Sequence, residues 1–174
     1  MPQLSLTENG PLILDATCSF RKIWPKSATY RIDIRPETNP DIVMDAKDLK
    51  FPNDYFDHIY CDPPHLMRRG KDLTRIKVYR RLSGRRSPDA FTRYGFWENE
   101  SDWFDFIEKT NKEFHRCLKP NGILHYKINE GGGCTKPSDL VQRMSNFELV
   151  EDRITQSKSS LGKAKTHWMT FKRK

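Results

Sequence analysis

Residues 56–65 read FDHIYCDPPH, and this segment carries the clearest structural signal in the chain. Residues 56–61 are rich in aromatic and aliphatic side chains, which favours a strand. Pro63 and Pro64 end that strand, because proline lacks the N–H that a sheet requires and fixes its own φ angle. We therefore predict a strand that stops abruptly and presents Asp62 and His65 just beyond the edge of a sheet.

Three shorter segments upstream repeat the pattern of an apolar run that ends on an aspartate. They are residues 12–14, 30–34 and 41–45, and their carboxylates are Asp15, Asp33 and Asp45. Asp33 follows Asp15 by eighteen residues, close to the spacing at which a carboxylate meets a ribose in nucleotide-binding βαβ units. Because ligands of an open α/β sheet bind outside the carboxyl ends of its strands, we expect these carboxylates and Asp62 to share one binding edge.

The second half of the chain alternates helical and strand patterns. A helix is predicted from a cap at Ser101 to about Leu118, ended by residues 119–122 (KPNG), because its apolar residues recur at helical spacing. The residues of that face are Trp103, Phe104, Ile107, Phe114 and Leu118. A short helix is predicted at 138–144, and strands are predicted at 123–128, 147–154 and 168–171. This order indicates an α/β fold with a mostly parallel sheet.

Length and composition limit the classes of protein that the chain can form. It has 174 residues, with 31 lysines and arginines against 23 aspartates and glutamates, a net charge of +8. We expect one domain over residues 1–174, large enough to bury a core without metal or disulfide support. No run reaches the roughly 18 apolar residues of a membrane helix, and no signal peptide is recognisable. The four cysteines form no C-x-x-C pair, so a reduced cytoplasmic protein without a metal site is expected.

The positive charge is concentrated in two segments. Residues 66–100, hereafter the basic insert, hold 10 basic and 4 acidic residues, and residues 153–174 hold 7 basic residues and no acidic ones. The basic insert also contains aromatic residues, a combination that suits phosphates and unstacked bases. Its predicted nucleic-acid-binding residues are Arg68, Arg69, Lys71, Arg75, Lys77, Arg80, Arg81, Arg85, Arg86 and Tyr94.

Taken together, the motifs resemble those of class I methyltransferases that use S-adenosyl-L-methionine (SAM). The likeness covers about residues 12–130 and rests on residues 15–19 (DATCS), 33–35 (DIR), 45–46 (DA) and 51–57 (FPNDYFD), which lead into residues 62–65 (DPPH). The last of these, hereafter the tetrapeptide, is similar to the (Asp/Asn/Ser)-Pro-Pro-aromatic motif of nucleic-acid amino-methyltransferases, including small archaeal and phage enzymes. The resemblance implies a Rossmann-like fold, with a mostly parallel seven-stranded sheet and a C-terminal antiparallel hairpin, and it implies SAM as the cofactor.

The resemblance also implies roles for individual residues. Asp15 and the backbone of Ala16, Thr17, Cys18 and Ser19 would face the methionine part of SAM. Asp33 and Ile34 would lie at the ribose, and Asp45 and Ala46 at the adenine. Asp62 and the carbonyl of Pro63 would bind the target amine, and Pro64 would belong to the same catalytic motif. His65 would stack on the base and, as a second role, handle a proton.

The implied activity is methylation of an exocyclic base amine, cytosine N4 or adenine N6. RNA, including ribosomal RNA, is favoured slightly over DNA, because we see no room for a separate target-recognition domain. Oligomeric state stays open. Two other functions also stay open: a non-catalytic nucleic-acid-binding module, since Thr17, Cys18 and Ser19 stand where the family has glycines, and methylation of a protein amide.

Overall fold

A mixed sheet with helices packed on it forms the fold of the computed structural model, which describes residues 10–20, 27–65, 67, 95–130, 135–156 and 165–174. The strands are β1 (Ile13–Asp15), β2 (Tyr30–Asp33), β3 (Ile42–Val43), β4 (Phe56–Cys61), β5 (Leu118–Glu130), β6 (Phe147–Gln156) and β7 (Lys165–Arg173). The helices are α1 (Glu100–Cys117) and α2 (Pro137–Arg143), and a 3-10 turn spans Pro36–Thr38. No helix in the described parts of the chain has the length and apolarity needed to cross a membrane.

The seven strands lie in the order β3-β2-β1-β4-β5-β7-β6. Strands β1 to β5 pair in parallel with one another, whereas β7 runs antiparallel to both β5 and β6. The predicted fold class, a mostly parallel seven-stranded sheet with a C-terminal antiparallel hairpin, is therefore confirmed. The chain first builds outward from β1 to β3 and then returns to add β4 on the other side of β1. That reversal creates a crevice at the carboxyl ends of β1 and β4, the usual place for a ligand in such a sheet.

Helix α1 starts and ends differently from its prediction. Its N-cap is Asn99, whose side chain accepts a hydrogen bond from the Asp102 amide at 2.9 Å, so the prediction of a Ser101 cap is wrong. Leu118 is already extended and pairs with Phe56, so β5 begins there rather than after the KPNG segment. The register of β5 against β4 shifts between Leu118 and Ile123, and Asn121 lies in this stretch with a left-handed φ of 64°. A turn sequence can lie inside a strand in this way when a register shift absorbs it.

One face of the sheet carries the core. Buried side chains of β5, including Leu124 and Tyr126, lie beside Met169 and Phe171 of β7 and belong to the same core cluster as the inner face of α1. Four of the five residues predicted for the apolar face of α1 lie on the helix, Phe104 among them only partly buried, whereas Leu118 is the first residue of β5. The prediction also lacked Phe106, which is 6% exposed and reaches the edge of the crevice. The three described cysteines, Cys18, Cys61 and Cys117, are buried.

Candidate functional site

A cavity of about 270 Å³ opens at the carboxyl ends of β1 to β4, where the strand order reverses. Every residue that the sequence assigned to the cofactor or to the tetrapeptide lines it. These residues are Asp15, Ala16, Thr17, Cys18, Ser19, Asp33, Ile34, Asp45, Ala46, Asp62, Pro63, Pro64 and His65. The fold thus brings the predicted residues together, while the role of each stays a prediction.

The loop after β1 is held in place by hydrogen bonds to its two neighbouring strands. The Ala16 amide donates to the Tyr60 carbonyl at 2.8 Å, and the Cys18 amide donates to the Ile32 carbonyl at 3.0 Å. The Thr17 hydroxyl accepts a hydrogen bond from the Asp62 amide at 2.6 Å. Of the three positions where glycine is usual in the family, only Ser19 has a left-handed φ, 49°. The loop therefore closes without glycine, and the Thr17 side chain joins the end of β1 to the tetrapeptide.

Asp15 is a buried carboxylate with few partners. It is 3% exposed, and among the described residues its side chain receives one hydrogen bond, from the Thr17 amide at 3.3 Å. Burial raises the pKa of Asp15 to about 7; the Thr17 hydrogen bond and Arg31 oppose the rise, and Asp62 and Asp33 add to it. A buried carboxylate with one long hydrogen bond is poorly stabilised as an anion, so this position favours a cationic ligand.

Asp33 differs from Asp15 because its acceptor capacity is already used. Its Oδ1 accepts from the Arg35 amide and the Arg35 Nε, both at 3.0 Å. Its Oδ2 accepts from the Ser19 amide at 3.0 Å and from the Arg35 Nη2 at 3.2 Å. A carboxylate offers about four lone-pair positions, and these donors fill them. A ribose hydroxyl that binds Asp33 must therefore displace the Arg35 guanidinium.

The third carboxylate, Asp45, lies at the open side of the cavity. Its Oδ1 accepts from the Lys47 amide at 2.9 Å, and 43% of its side chain is exposed. The neighbouring Ala46 is 4% exposed, and Ile34, which lines the same cavity, is 61% exposed. This end of the cavity combines an apolar wall with an acceptor, which is a suitable lining for a flat ring that bears an amine.

Asp62 and Pro63 carry two acceptors, a carboxylate and a backbone carbonyl, on consecutive residues that line the cavity. The Lys127 Nζ lies 2.6 Å from the Asp62 Oδ2. Among the described residues, no hydrogen bond reaches the other carboxylate oxygen of Asp62 or the carbonyl of Pro63, whereas the Pro64 carbonyl accepts from the Trp97 indole at 2.5 Å. Two neighbouring acceptors can bind the two hydrogens of an amine, so the local chemistry suits an –NH2 group.

His65 completes the tetrapeptide with a half-buried ring on the cavity wall. Burial lowers the pKa of His65 below its ordinary value; Asp62 opposes this change and Lys127 adds to it. The ring is therefore neutral near pH 7, a state in which it can stack on a base or accept a proton. Its backbone carbonyl accepts from the Thr135 amide at 3.2 Å, which ties the tetrapeptide to the segment before α2.

Several cavity residues were not predicted from the sequence. They are Arg35, Met44, Lys47, Gly95, Phe96, Trp97, Phe106 and Lys127. Lys127 lies within β5, and a lone lysine on a strand gives no sign that it pairs with a carboxylate 65 residues away. Trp97 appeared only as one aromatic residue of the basic insert. Both contacts join distant parts of the chain, and no local pattern encodes them.

The predicted nucleic-acid-binding residues, Arg68 to Tyr94, lie outside the described residues. Of the C-terminal basic segment, Lys165 lies opposite Glu130, at the carboxyl end of β5 and so on the cavity side. Lys172 lies opposite Ile123, at the other end of β5, and Arg173 bonds to Asp54 and to the Leu118 carbonyl. The last residues of this segment thus lie at the edge of the sheet that faces away from the cavity. Among the described residues, no group of three or more His, Cys, Asp or Glu is placed to hold a metal ion.

Comparisons with known proteins give a likeness of fold. No family model and no curated protein matches the chain. Among solved structures, it is similar to TrmN from Thermus thermophilus, with 15% identity, a TM-score of 0.60 and 95% of this chain covered; the match spans 44% of TrmN, less than half of that protein. A SAM-dependent methyltransferase from Methanosarcina mazei is similar over 94% of this chain and 92% of its own, with 15% identity and a TM-score of 0.54.

A third similar structure contains a ligand. The N-methyltransferase NodS from Bradyrhizobium japonicum, in complex with S-adenosyl-L-homocysteine, has 11% identity and a TM-score of 0.53; the match covers 93% of this chain and 76% of that one. This chain has the fold of these methyltransferases. At such low identity the likeness extends to architecture, and the chemistry must be argued from the residues of the cavity.

Proposed function

We propose that the protein is a SAM-dependent methyltransferase that modifies an exocyclic base amine, cytosine N4 or adenine N6, in nucleic acid, with RNA favoured over DNA. The observation that carries the proposal is the pair of available acceptors, the Asp62 carboxylate and the Pro63 carbonyl, on the wall of a cavity that also holds Asp15, Asp33 and Asp45. The architecture shared with SAM-dependent methyltransferases supports the same proposal.

The cavity fits SAM by charge and by polarity. SAM carries a sulfonium and an ammonium group against one carboxylate, so it is a net cation, and the cavity offers it an under-stabilised buried carboxylate at Asp15. Asp45 and the apolar wall at Ile34 and Ala46 suit the adenine ring. Asp33 would hold the ribose once Arg35 has moved aside.

The chemical contribution of the chain is alignment. SAM, when bound, supplies an electrophilic methyl group on its sulfonium. Asp62 and the Pro63 carbonyl bind the two hydrogens of the amine, which directs its lone pair at the methyl group; proximity and orientation of this kind account for much of the rate in such a transfer. The new N–C bond forms as the S–C bond breaks, and the amine then loses a proton, for which the neutral His65 ring is an acceptor within the tetrapeptide.

Charge supports a nucleic-acid substrate. The basic insert starts directly after the tetrapeptide, with 10 basic against 4 acidic residues, a balance that suits a phosphate backbone. A target base must leave its stack to enter an enzyme's cavity. The preference for RNA is part of the proposal, and RNA and DNA are separate arms of the experiment.

The test uses purified protein with radiolabelled SAM and, in separate reactions, total RNA and genomic DNA from cells that lack the gene, followed by mass spectrometry of nucleosides. We expect methyl transfer to RNA, and its loss by about a hundredfold or more in Asp62→Ala. The matched control is Asp57→Ala, which breaks a similar ion pair between β4 and β5, Asp57 with Lys119 at 2.9 Å, outside the cavity. Retained transfer in Asp62→Ala would refute the role of the acceptor pair, and transfer to DNA alone would overturn the RNA preference.

A second function has one specific observation in its favour. Because Arg35 and Ser19 fill the acceptors of Asp33, the ribose subsite is closed in this conformation, as it would be in a nucleic-acid-binding module that has lost its cofactor. Calorimetry with SAM separates the two functions. We expect saturable binding, and an absence of heat at millimolar SAM would favour the module.

A further inference from the structure

The chain returns to the tetrapeptide at residues 95–97. Gly95 has a φ of +75°, and a Cβ at this position would lie 3.0 Å from the Pro64 Cγ, so the backbone approaches the proline closely. Met67 and Trp97 form a parallel bridge just beyond the tetrapeptide. The two ends of the basic insert therefore meet at the cavity, and Trp97 lies at their junction.

The Trp97 side chain is fixed from two directions. Its ring centroid lies 5.0 Å from that of Phe106 and 5.6 Å from that of Trp103, two core residues of α1. Its indole Nε1 donates to the Pro64 carbonyl at 2.5 Å. The aromatic contacts hold the ring against α1, and the hydrogen bond extends that support to the tetrapeptide.

The tetrapeptide depends on such outside contacts because two of its four residues are prolines. Proline has no N–H, so hydrogen bonds can hold this backbone mainly through its carbonyls. The Pro64 carbonyl is bound by Trp97 and the His65 carbonyl by the Thr135 amide at 3.2 Å. No described residue donates to the Pro63 carbonyl, which leaves it available to a substrate.

We propose that Trp97 is a positioning residue for methyl transfer: its indole N–H fixes the Pro64 carbonyl and thereby orients the Pro63 carbonyl beside the Asp62 carboxylate. The inference rests on the proposed function, because the acceptor pair matters only if an amine binds there. The role is a matter of orientation, since the N–H itself is already used by Pro64.

The experiment compares Trp97→Phe with Trp103→Phe. Both remove an indole N–H and keep an aromatic ring, but the Nε1 of Trp103 is buried and has no hydrogen-bond partner within the described part of the chain. We expect Trp97→Phe to lower kcat for RNA methylation by about tenfold, the effect of one lost hydrogen bond in the transition state, and to keep the Kd for SAM within about twofold. Trp103 is fully buried, so Trp103→Phe should lower Tm at least as much. It does not line the cavity, and the variant keeps an aromatic ring beside Trp97 and leaves the Trp97 hydrogen bond in place, so kcat should stay within about twofold.

If the role of Trp97 were merely structural, kcat would follow Tm, and the variant with the larger loss of Tm would also lose more activity. That order would overturn the proposal. Equal kcat in Trp97→Phe and the wild type would overturn it as well. Indole ¹H–¹⁵N NMR adds a readout that needs no activity. The Trp97 N–H resonance, assigned by its loss in Trp97→Phe, should lie downfield of the Trp103 resonance, and an upfield position would contradict the hydrogen bond. A wild-type protein that binds SAM but methylates no nucleic acid would refute the proposed function instead, with the NMR result still deciding the contact.

Discussion

Asp15 gives a prediction about stability that does not depend on any ligand. Its pKa rises from 3.8 to about 7 on burial, so the folded state holds a proton that the unfolded state releases between those pH values. The contribution of Asp15 to the free energy of unfolding is therefore complete below about pH 3.8 and is lost as the pH rises toward and through 7. A rise of about three pKa units corresponds to roughly 4 kcal/mol in all, of which about 2–3 kcal/mol falls between pH 5 and pH 8.

Asp15→Asn removes the ionisation while keeping the shape of the side chain and an acceptor for the Thr17 amide. The free energy of unfolding of Asp15→Asn, taken relative to that of the wild type, should therefore rise by about 2–3 kcal/mol between pH 5 and pH 8. Urea titrations at each pH measure it. The control is Asp57→Asn, outside the cavity. Burial acts to raise the pKa of Asp57, but hydrogen bonds from Lys119 and from the Leu12 amide lower it below its ordinary value, so the difference between this variant and the wild type should not change over this range. Parallel stability curves for Asp15→Asn and the wild type would refute the reasoning.

The same titration predicts how a cationic ligand binds. If SAM prefers ionised Asp15, its affinity should rise about tenfold between pH 6 and pH 8, since the ionised fraction of a group with a pKa near 7 rises from about one-tenth to nine-tenths. Isothermal calorimetry at several pH values measures this slope. Asp15→Asn should flatten it, and an unchanged slope in that variant would assign the pH dependence to another group.

Two further substitutions test neighbouring parts of the cavity. Arg35→Ala should raise the affinity for SAM by about two- to fivefold, because the substitution releases the Asp33 carboxylate for the ribose. Calorimetry measures this affinity. A weaker affinity would mean that Arg35 orients Asp33 instead of competing for it. Gly95→Ala should lower the free energy of unfolding by about 1–2 kcal/mol in urea titrations, because Gly95 has a φ of +75° and its new Cβ would press on Pro64; unchanged stability would show that the left-handed turn is not needed.

Local patterns predicted most of the secondary structure. The limits of β4 were predicted at Phe56 and Cys61, as observed, because an apolar run meets two prolines there. Helix α1 was found from its repeating apolar residues, yet its first turn was misplaced, since Asn99 and Ser101 are both good caps and only the surrounding chain selects between them. Strand β5 was predicted to begin five residues too late and to end two residues too early. The late start arises because the KPNG turn residues conceal a strand that pairing with β4 makes possible.

The sequence by itself determined which carboxylates meet at the cavity. Each of them is the last residue of a short parallel strand or lies within two residues of its end, and parallel strands align their carboxyl ends at one edge of the sheet. The tertiary structure alone decided how those residues are used: Arg35 closes on Asp33, Lys127 pairs with Asp62, and Trp97 binds the Pro64 carbonyl. The raised pKa of Asp15 also belongs to the tertiary structure, because desolvation depends on the atoms packed around the carboxylate and no local sequence pattern records them.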